Sequence, residues 1–450
     1  MEEKRERKME DLHLEKNDRN QEVKMGIEEK GSPGKNFLYG LQHVFVSNVW
    51  LDPIFVAAMI GLPFALSANL VNAIFIAAGL VTLIQATKLV KLPIVQGPSA
   101  AFDAIMITAG KANGLAAASG AIFLSAIIVF ILSITGMISK LKGLFTPAIS
   151  GTVIFLVGIS LAGFTLSEFL GGYPGDKGFA SSETLMLSIP TALIVLGLSL
   201  FGKGYWKSFS FLIALVAGNI LAVILGQTNF SLLQEKAWFG LPHFLPYGGL
   251  EFEWSTFLTF FIAYIVAVIE AMGVYQASST ILKINLDDKR IRNGFAGESA
   301  GSLLSSLIGG FPTTAYAQNV GLLRLTGVGS RYPVMIAGII FLVLGFVPKA
   351  GALLALTPAA VVGGIFLPAA ATLVFTGISL LTKVEATDKN YMIIGLSMLL
   401  SISLPSFATG WTGTVGTFLS NSILIGAFTS IMLQLLLITI PNWLKKGRTS

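Results

Sequence analysis

The sequence predicts an all-α polytopic membrane protein, and three observations support this prediction. Hydrophobic residues make up 54% of the 450 residues and charged residues only 12%, whereas an ordinary globular protein has roughly 25% charged residues. Apolar segments of the length that crosses a bilayer, about 20 residues, follow one another from Phe37 to Ile440. Lys and Arg are concentrated in every second connection between these segments. Together these features exclude a soluble domain.

The first 35 residues differ from the rest of the chain. They contain 9 basic and 10 acidic residues and few large apolar ones, so we predict that residues 1–35 form a disordered cytoplasmic tail. No apolar segment precedes Phe37, so we expect no cleavable signal peptide. The chain has no cysteine and only three scattered histidines. It is therefore predicted to contain neither disulfides nor a zinc cluster.

Fourteen apolar segments are predicted as transmembrane spans 1–14. In chain order they cover residues 37–61, 68–87, 93–110, 115–138, 146–170, 184–202, 208–226, 254–281, 293–309, 312–328, 333–348, 355–381, 391–408 and 414–438.

The basic residues test this count. With the tail inside, 17 of the 21 basic residues beyond position 35 fall on the cytoplasmic side and four on the outer side. This distribution obeys the positive-inside rule, so we expect an even number of spans, both termini in the cytoplasm and a location in the plasma membrane. The predicted divisions are a tail 1–35, a seven-span repeat 36–227, an extracellular connection 228–253, a second seven-span repeat 254–440 and a cytoplasmic tail 441–450.

Spans 3 and 10 are interrupted by Pro and Gly at equivalent positions of the two halves. The interruptions are residues 92–99 (LPIVQGPS) and 309–316 (GGFPTTAY). Broken segments at matching positions of two repeats mark a transporter's binding site, since half-helix N-termini present free N–H groups to a ligand. Seven spans per half would make the repeats inverted. The alternative is that Pro and Gly merely kink ordinary helices.

Among the carboxyl groups within the apolar spans, four are singled out: Asp52, Asp103, Glu270 and Glu298. A charge at mid-bilayer costs on the order of 3 kcal/mol, so these groups are expected to face a cavity or a partner and to favour the neutral form. Glu270 is the deepest and is predicted to be functional. Glu298 is assigned either to proton coupling or to bonding between helices, and Asp103 either to the site or to a helix cap. Asp52 is placed near the outer end of span 1 and is interpreted as structural.

Two side-chain amides, Gln318 and Asn319, follow the break in span 10 directly. An amide offers both donors and an acceptor, which suits the edge of a heterocycle with alternating N–H and C=O groups. Capping of the half-helix is the alternative role. His43 in span 1 could relay protons or hydrogen-bond to a neighbouring helix.

At these residues the chain resembles the nucleobase–ascorbate transporter family, the uracil, xanthine and uric acid permeases. Residues 41–43 (LQH), 96–102 (QGPSAAF) and 147–153 (PAISGTV) are similar to the family's motifs in spans 1, 3 and 5. Residues 358–364 (PAAVVGG) resemble its signature in span 12. The most specific motif is 317–323 (AQNVGLL), whose Gln-Asn pair resembles the purine-type members; uracil members usually have Gly-Glu-Asn.

The resemblance implies inverted repeats with a core bundle (spans 1–4 and 8–11), a gate bundle (spans 5–7 and 12–14) and short β-strands in spans 3 and 10. It also implies a homodimer and proton-coupled uptake of a purine such as xanthine or uric acid, with Na⁺ as the alternative cation. The resemblance implies that Glu270, Gln318, Tyr316 and the backbone of Ala100 and Ala317 contact the base, and that Glu298 matches the family's acidic position on span 9. With Asn319 added, these contacts give the predicted substrate-binding residues Glu270, Gln318, Asn319, Ala100, Ala317 and Tyr316. The predicted proton-coupling residues are Glu298, His43 and Asp103. We predict no catalytic residue, metal, cofactor or nucleic-acid partner, and no enzymatic activity.

Two departures from the family pattern leave the substrate and the coupling open. Val274 stands where the family often has Asp or His, and Ala100 replaces a bulky aromatic residue. The alternatives are a uracil-type permease and a sulfate-permease-like anion carrier of the same architecture. An anion site should hold a cation or bare helix N-termini, whereas Glu270 is acidic. A membrane enzyme or receptor would need a soluble domain or a metal cluster, and the loops are too short for either.

Overall fold

The computed structural model describes residues 23–112, 114–140, 146–408, 410–411 and 413–446. The elements of the first half are α1 (Pro33–Ser47), α2 (Leu51–Ile60), α3 (Phe64–Thr87), β1 (Gln96–Pro98), α4 (Asp103–Ala112), α5 (Leu115–Ile134), α6 (Met137–Lys140), α7 (Pro147–Leu170), α8 (Ser182–Phe201), α9 (Tyr205–Ser208), α10 (Ser210–Ile224) and α11 (Ser231–Gln234). A short 3₁₀ turn, Ala100–Phe102, precedes α4.

The second half begins with the longest helix, α12. Its elements are α12 (Trp254–Ile281), α13 (Asp288–Leu307), β2 (Thr313–Ala315), α14 (Ala317–Thr326), α15 (Arg331–Gly345), α16 (Pro348–Ala355), α17 (Ala359–Leu381), α18 (Asp388–Phe407), α19 (Gly413–Leu419), α20 (Ser422–Gln434), a π-helical turn (Leu435–Thr439) and α21 (Ile440–Lys446).

Within the described ranges, nine helical stretches are long and apolar enough to cross a membrane. A tenth results if α15 and α16, which are bent by 83°, are counted as one span. The chain is therefore a polytopic α-helical membrane protein, as predicted. The other predicted spans coincide with the shorter helix α10, the polar helix α13 and the two strand-containing segments. Length and hydropathy alone therefore give nine or ten spans, and the count of fourteen stays a prediction.

The two strands interrupt predicted spans 3 and 10 where the sequence has Pro and Gly. They pair antiparallel, with Gln96 opposite Ala315, and the N–H of Tyr316 extends the pairing to the carbonyl of Val95 at 3.0 Å. Each strand therefore forms hydrogen bonds with backbone groups of the other. Non-helical backbone within a membrane needs such partners inside the protein. Helix α14 follows β2 after Tyr316, and α4 follows β1 after the 3₁₀ turn, so each half-helix begins close to the paired strands. The predicted short strands are confirmed.

The long helices pack as two groups. The strand-bearing bundle comprises α1–α5, α12–α16 and both strands, and α3–α15 and α5–α13 are its most extensive pairs. The flanking bundle comprises α7, α8, α10, α17, α18 and α20, in which α7 and α17 pack most extensively. A Cβ added to Gly363 of α17 would lie 2.3 Å from the backbone nitrogen of Phe169. One added to Gly377 would lie 2.4 Å from the backbone nitrogen of Phe155. Glycine therefore permits the close approach of these two helices.

The segment before α1 is in contact with the membrane body. It forms a parallel β-bridge to Val328, and Glu28 forms a salt bridge of 2.6 Å with Arg331. The hydrogen bond from this guanidinium lowers the pKa of Glu28. The prediction of disorder is therefore wrong for residues 23–35, because the ends of α14 and α15 offer them backbone and charge partners. Residues 1–22 lie outside the described part of the chain.

Candidate functional site

Glu270 and Gln318 lie on α12 and α14, two helices that contact each other. Glu270 is half-buried, whereas Gln318 and the preceding Ala317 are exposed. Glu270 lies in the middle of an apolar helix of 28 residues, where a lipid-facing carboxyl would be strongly unfavourable. The accessible carboxyl is therefore expected to face a cleft, next to the accessible amide.

The backbone at the two half-helices adds hydrogen-bond donors. Helix α14 begins at Ala317 with Tyr316 as its N-cap, and no side chain caps its first turn. Ala100 is half-buried at the start of the 3₁₀ turn that leads into α4. Helix N-termini combine unpaired N–H groups with a partial positive charge. Together with the carboxyl of Glu270 and the amide of Gln318, they suit a planar molecule that alternates N–H and C=O groups.

Tyr316 forms a buried wall beside this backbone. Its ring lies against Gly97 of β1, where an added Cβ would be 2.7 Å from the ring atom Cζ. Its hydroxyl donates a hydrogen bond of 3.2 Å to Oδ2 of Asp52. A side chain at position 97 would displace the ring, so glycine is required for this packing.

Asp52 lies where the first predicted span is interrupted. Between α1 and α2, Asn48 has a left-handed φ of 54°, and Asp52 lies in the first turn of α2, inside the 28-residue stretch Pro33–Ile60. It is buried and accepts a hydrogen bond from Tyr316, a predicted substrate-binding residue. Its place near the outer end of span 1 stays a prediction.

Asn319 and His43 form a separate pair. Both are buried, and the Asn319 amide donates to His43 Nδ1 at 3.0 Å and to the His43 carbonyl at 3.2 Å. An acceptor at Nδ1 places the proton of the neutral ring on Nε2. The structure thus places Asn319 against α1, whereas its neighbour Gln318 is exposed.

Glu298 is held by a tyrosine that the sequence analysis missed. Its Oε1 accepts a hydrogen bond of 2.5 Å from the hydroxyl of Tyr275 on α12. Its backbone carbonyl accepts a bond of 2.9 Å from Thr313 of β2. Glu298 is therefore linked through its backbone to the strand that precedes α14. Helix α12 contains two tyrosines, Tyr264 and Tyr275, and the sequence does not distinguish this role of Tyr275 from core packing.

Asp103 is completely buried in the first turn of α4. Neither of its carboxyl oxygens has a hydrogen-bond partner among the described residues. Its helix contacts α2, the helix that contains Asp52. In the part of the chain that the structure describes, no group of three or more His, Cys, Asp or Glu residues could hold a metal ion.

The Permease family Xan_ur_permease matches residues 34–409. The chain belongs to this family. Membership confirms the resemblance that the motifs carry and makes the chain a membrane permease, not an enzyme. Similar proteins include the uric acid permease PucK of Bacillus subtilis, 31% identical over 88% of this chain and 94% of the relative. The xanthine permease of Bacillus subtilis is 28% identical over 89% of this chain and 93% of the relative.

Solved structures with similar folds include a bicarbonate transporter and an anion transporter. The transmembrane domain of the cyanobacterial bicarbonate transporter BicA has a TM-score of 0.56 at 17% identity, covering 87% of this chain and 97% of that domain. The murine anion transporter Slc26a9 has a TM-score of 0.64 at 12% identity, covering 92% of this chain and 69% of that chain. These likenesses show the fold alone, because one fold supports many substrates.

The two departures from the family pattern have defined places in this permease. Val274 is buried on α12, one turn after Glu270, so this position offers no polar group. Ala100 is half-buried at the start of the 3₁₀ turn, and its side chain is a methyl group where the family pattern has a bulky aromatic ring.

Proposed function

We propose that this permease imports a purine nucleobase of the xanthine or uric acid class by proton symport. The observation that carries the proposal is that half-buried Glu270 and exposed Gln318 lie on two helices that contact each other, and that Gln318 lies in the first turn of its half-helix. The carboxyl accepts N–H groups of the base, the amide pairs with its N–H and C=O edge, and the backbone N–H groups of Ala100 and Ala317 donate to its carbonyls. Tyr316 bounds the pocket. The names of the uric acid and xanthine permeases among the relatives support this substrate class.

The proposed transport cycle uses the two bundles. The strand-bearing bundle is the core that carries the base, and the flanking bundle is the gate against which it moves in alternating access. We also propose fourteen spans in two inverted repeats, residues 36–227 and 254–440, with both termini in the cytoplasm. A homodimer in the plasma membrane completes the proposed arrangement.

Two other substrates are the alternatives. A uracil-type permease would use the same carboxyl with a different amide pattern. A sulfate-permease-like anion carrier has the same fold, but a sulfate ion has no N–H group to donate to the carboxyl of Glu270. The site therefore favours a ligand with N–H groups, such as a purine base.

Transport of labelled xanthine and uric acid into proteoliposomes tests the proposal. We expect saturable uptake that an inward proton gradient increases and that excess unlabelled purine abolishes. Uptake of labelled sulfate or bicarbonate in place of the purines would favour the anion carrier. Stimulation by a Na⁺ gradient and not by a proton gradient would assign Na⁺ as the coupled cation.

We propose that the coupled protons bind to buried groups of the core. The bond from Tyr275 to Glu298 holds one carboxyl beside strand β2, so its protonation can influence the backbone of the binding site. His43, bonded to Asn319, and Asp103 are the other candidates. Asn319 then acts as a positioning residue for His43.

Replacing Glu298 by Gln tests the first of these groups. The amide imitates the protonated carboxyl but cannot release a proton, so we expect accumulation driven by a proton gradient to fall while exchange of labelled for unlabelled base continues. Both activities are measured in the same proteoliposomes. Exposed Glu183→Gln on α8 is the matched control and should accumulate the base normally. Wild-type accumulation by Glu298→Gln would remove Glu298 from the coupling.

A further inference from the structure

A chain of buried polar groups from two neighbouring helices leads to the carboxyl of Glu298. The hydroxyl of Tyr275 on α12 donates to Oε1 of Glu298 at 2.5 Å. The side-chain amide of Gln85 on α3 donates to the same hydroxyl at 3.5 Å and to the carbonyl of Gly294 on α13 at 2.7 Å. Gln85, Tyr275 and Glu298 are all buried. The hydroxyl of Tyr275 thus lies between an amide that donates to it and a carboxyl that accepts from it.

Two glycines of α13 make room for this chain. A Cβ added to Gly294 would lie 2.7 Å from the ring atom Cε2 of Tyr275 and 2.9 Å from its hydroxyl oxygen. A Cβ added to Gly297 would lie 2.9 Å from Nε2 of Gln85. A larger residue at either position would therefore displace these side chains from Glu298. The packing of α13 against α3 and α12 holds the tyrosine hydroxyl in one place.

A fixed hydroxyl donor has a defined effect on a buried carboxyl group. Hydrogen bonds to an ionised acceptor are stronger than those to a neutral one, so the bond from Tyr275 stabilises the carboxylate of Glu298 more than the protonated form. Burial acts in the opposite direction, because it disfavours the charged form. Tyr275 therefore allows Glu298 to release a proton that burial alone would retain. Phenylalanine would fill the same space without donating a hydrogen bond.

We infer that Tyr275 is a positioning residue of the proton coupling: it determines the pH at which Glu298 releases the transported proton, and Gln85 holds its hydroxyl in place. The proton binds to and leaves the carboxyl of Glu298, and Tyr275 keeps its own proton throughout. This inference rests on the proposed role of Glu298 in proton symport. It assigns functions to Tyr275 and Gln85, which have none in the proposed contact with the base.

Few titratable residues lie on the described elements that pack against α13. Helices α3 and α5 and strand β2 contain none, α6 contains Lys140, and α12 contains Tyr264, Glu270 and Tyr275. The charged residues of α13 besides Glu298 lie in its first two turns: Asp288, Lys289, Arg290 and Arg292. Glu270 belongs to the proposed base site, so a saturating concentration of base keeps its surroundings constant during a pH titration.

The pH dependence of exchange tests the role of Tyr275. Purified permease in proteoliposomes exchanges labelled for unlabelled xanthine, with saturating xanthine and equal pH on both sides. Exchange uses the proton-loaded permease, so it falls as the pH rises past the value at which Glu298 loses its proton. In Tyr275→Phe this fall should occur about one pH unit higher, the size expected for the loss of one hydrogen bond to a charged group.

Two further variants make the test specific. Tyr264→Phe is the matched control, since it makes the same change on the same helix at a buried hydroxyl that has no hydrogen-bond partner among the described residues. It should leave the fall at the wild-type pH. Gln85→Met keeps a side chain of similar length but removes both amide hydrogen bonds, so it should shift the fall in the same direction as Tyr275→Phe and by less.

The outcomes separate the positioning role from proton symport itself. Exchange by Tyr275→Phe that falls at the wild-type pH would overturn the inference and leave symport intact. If Tyr275→Phe does not exchange, the infrared absorption of the protonated carboxyl, identified by its loss in Glu298→Gln, is titrated in purified protein. It should persist to higher pH than in the wild type, and an unchanged titration would overturn the inference. Glu298→Gln that keeps the wild-type pH dependence of exchange would instead refute the coupling role of Glu298, and the positioning role with it.

Discussion

Replacing Glu270 by Gln is expected to abolish accumulation of the purine base without preventing insertion of the permease. The carboxylate can accept hydrogen bonds from two N–H groups of the base. In the Gln variant an NH₂ group replaces one carboxylate oxygen, so it faces an N–H of the base and forms no hydrogen bond with it. Hydrogen bonds to charged groups contribute about 1.5–3 kcal/mol, which corresponds to a loss of affinity of roughly ten- to more than a hundredfold.

Binding of labelled xanthine to purified protein separates this effect from a folding defect. Glu270→Asp keeps the charge but shortens the side chain, so it should retain more affinity than the Gln variant. Exposed Glu183→Gln makes the same chemical change elsewhere and should bind normally. Uptake by Glu270→Gln at the wild-type level would exclude Glu270 from the contact with the base.

Replacing Gln318 by Glu is expected to change which bases compete for transport. The substitution replaces the amide donor with an acceptor. A base whose C=O faces residue 318 therefore loses a hydrogen bond, and a base whose N–H faces it loses the least affinity. An unmade hydrogen bond at a buried polar contact costs about 1–3 kcal/mol, or roughly ten- to hundredfold in affinity. The Glu of uracil-type permeases at the corresponding position predicts a shift toward pyrimidines.

The position of Gln318 makes this substitution informative. It lies in the first turn of α14, where a negative charge stabilises a helix, so the half-helix should not be weakened. Inhibition constants for xanthine, uric acid, hypoxanthine, guanine and uracil are compared between the variant and the wild type, with exposed Gln234→Glu on α11 as control. An equal loss of affinity for every base would indicate that Gln318 caps the helix and does not read the base.

The part of the fold that could be predicted in detail is the pair of interruptions in spans 3 and 10, where Pro and Gly interrupt the apolar segments. Pro and Gly at 92–99 and 309–316 predicted the interruptions that the structure contains as β1 and β2. The order found for residues 23–35 could not be predicted, since their composition is polar and their partners, such as Arg331, lie about 300 positions along the chain. The polar helix α13 also fails a hydropathy test, because serines and Glu298 lower its hydropathy. Ser302 accepts a hydrogen bond from the N–H of Thr313, and Glu298 accepts one from the hydroxyl of Tyr275, so these two groups have partners on other elements.

The candidate site was predictable residue by residue but not in its pairings. Glu270 and Gln318 were identified because a carboxyl in an apolar span and an amide after a helix break are unusual. The bond between Asp52 and Tyr316 depends on the bend at Asn48, which no composition or spacing reveals. Tyr275 was missed for a similar reason, since only the packing of α12 against α13 brings it to Glu298.

A structure of the permease with bound xanthine tests the central claim most directly. We expect one planar base in contact with the carboxyl of Glu270 and the amide of Gln318, within hydrogen-bond distance of the backbone N–H groups of Ala100 and Ala317. The same preparation of Glu270→Gln should show no bound base. A base that occupies another part of the protein, or the same occupancy in the variant, would contradict the account.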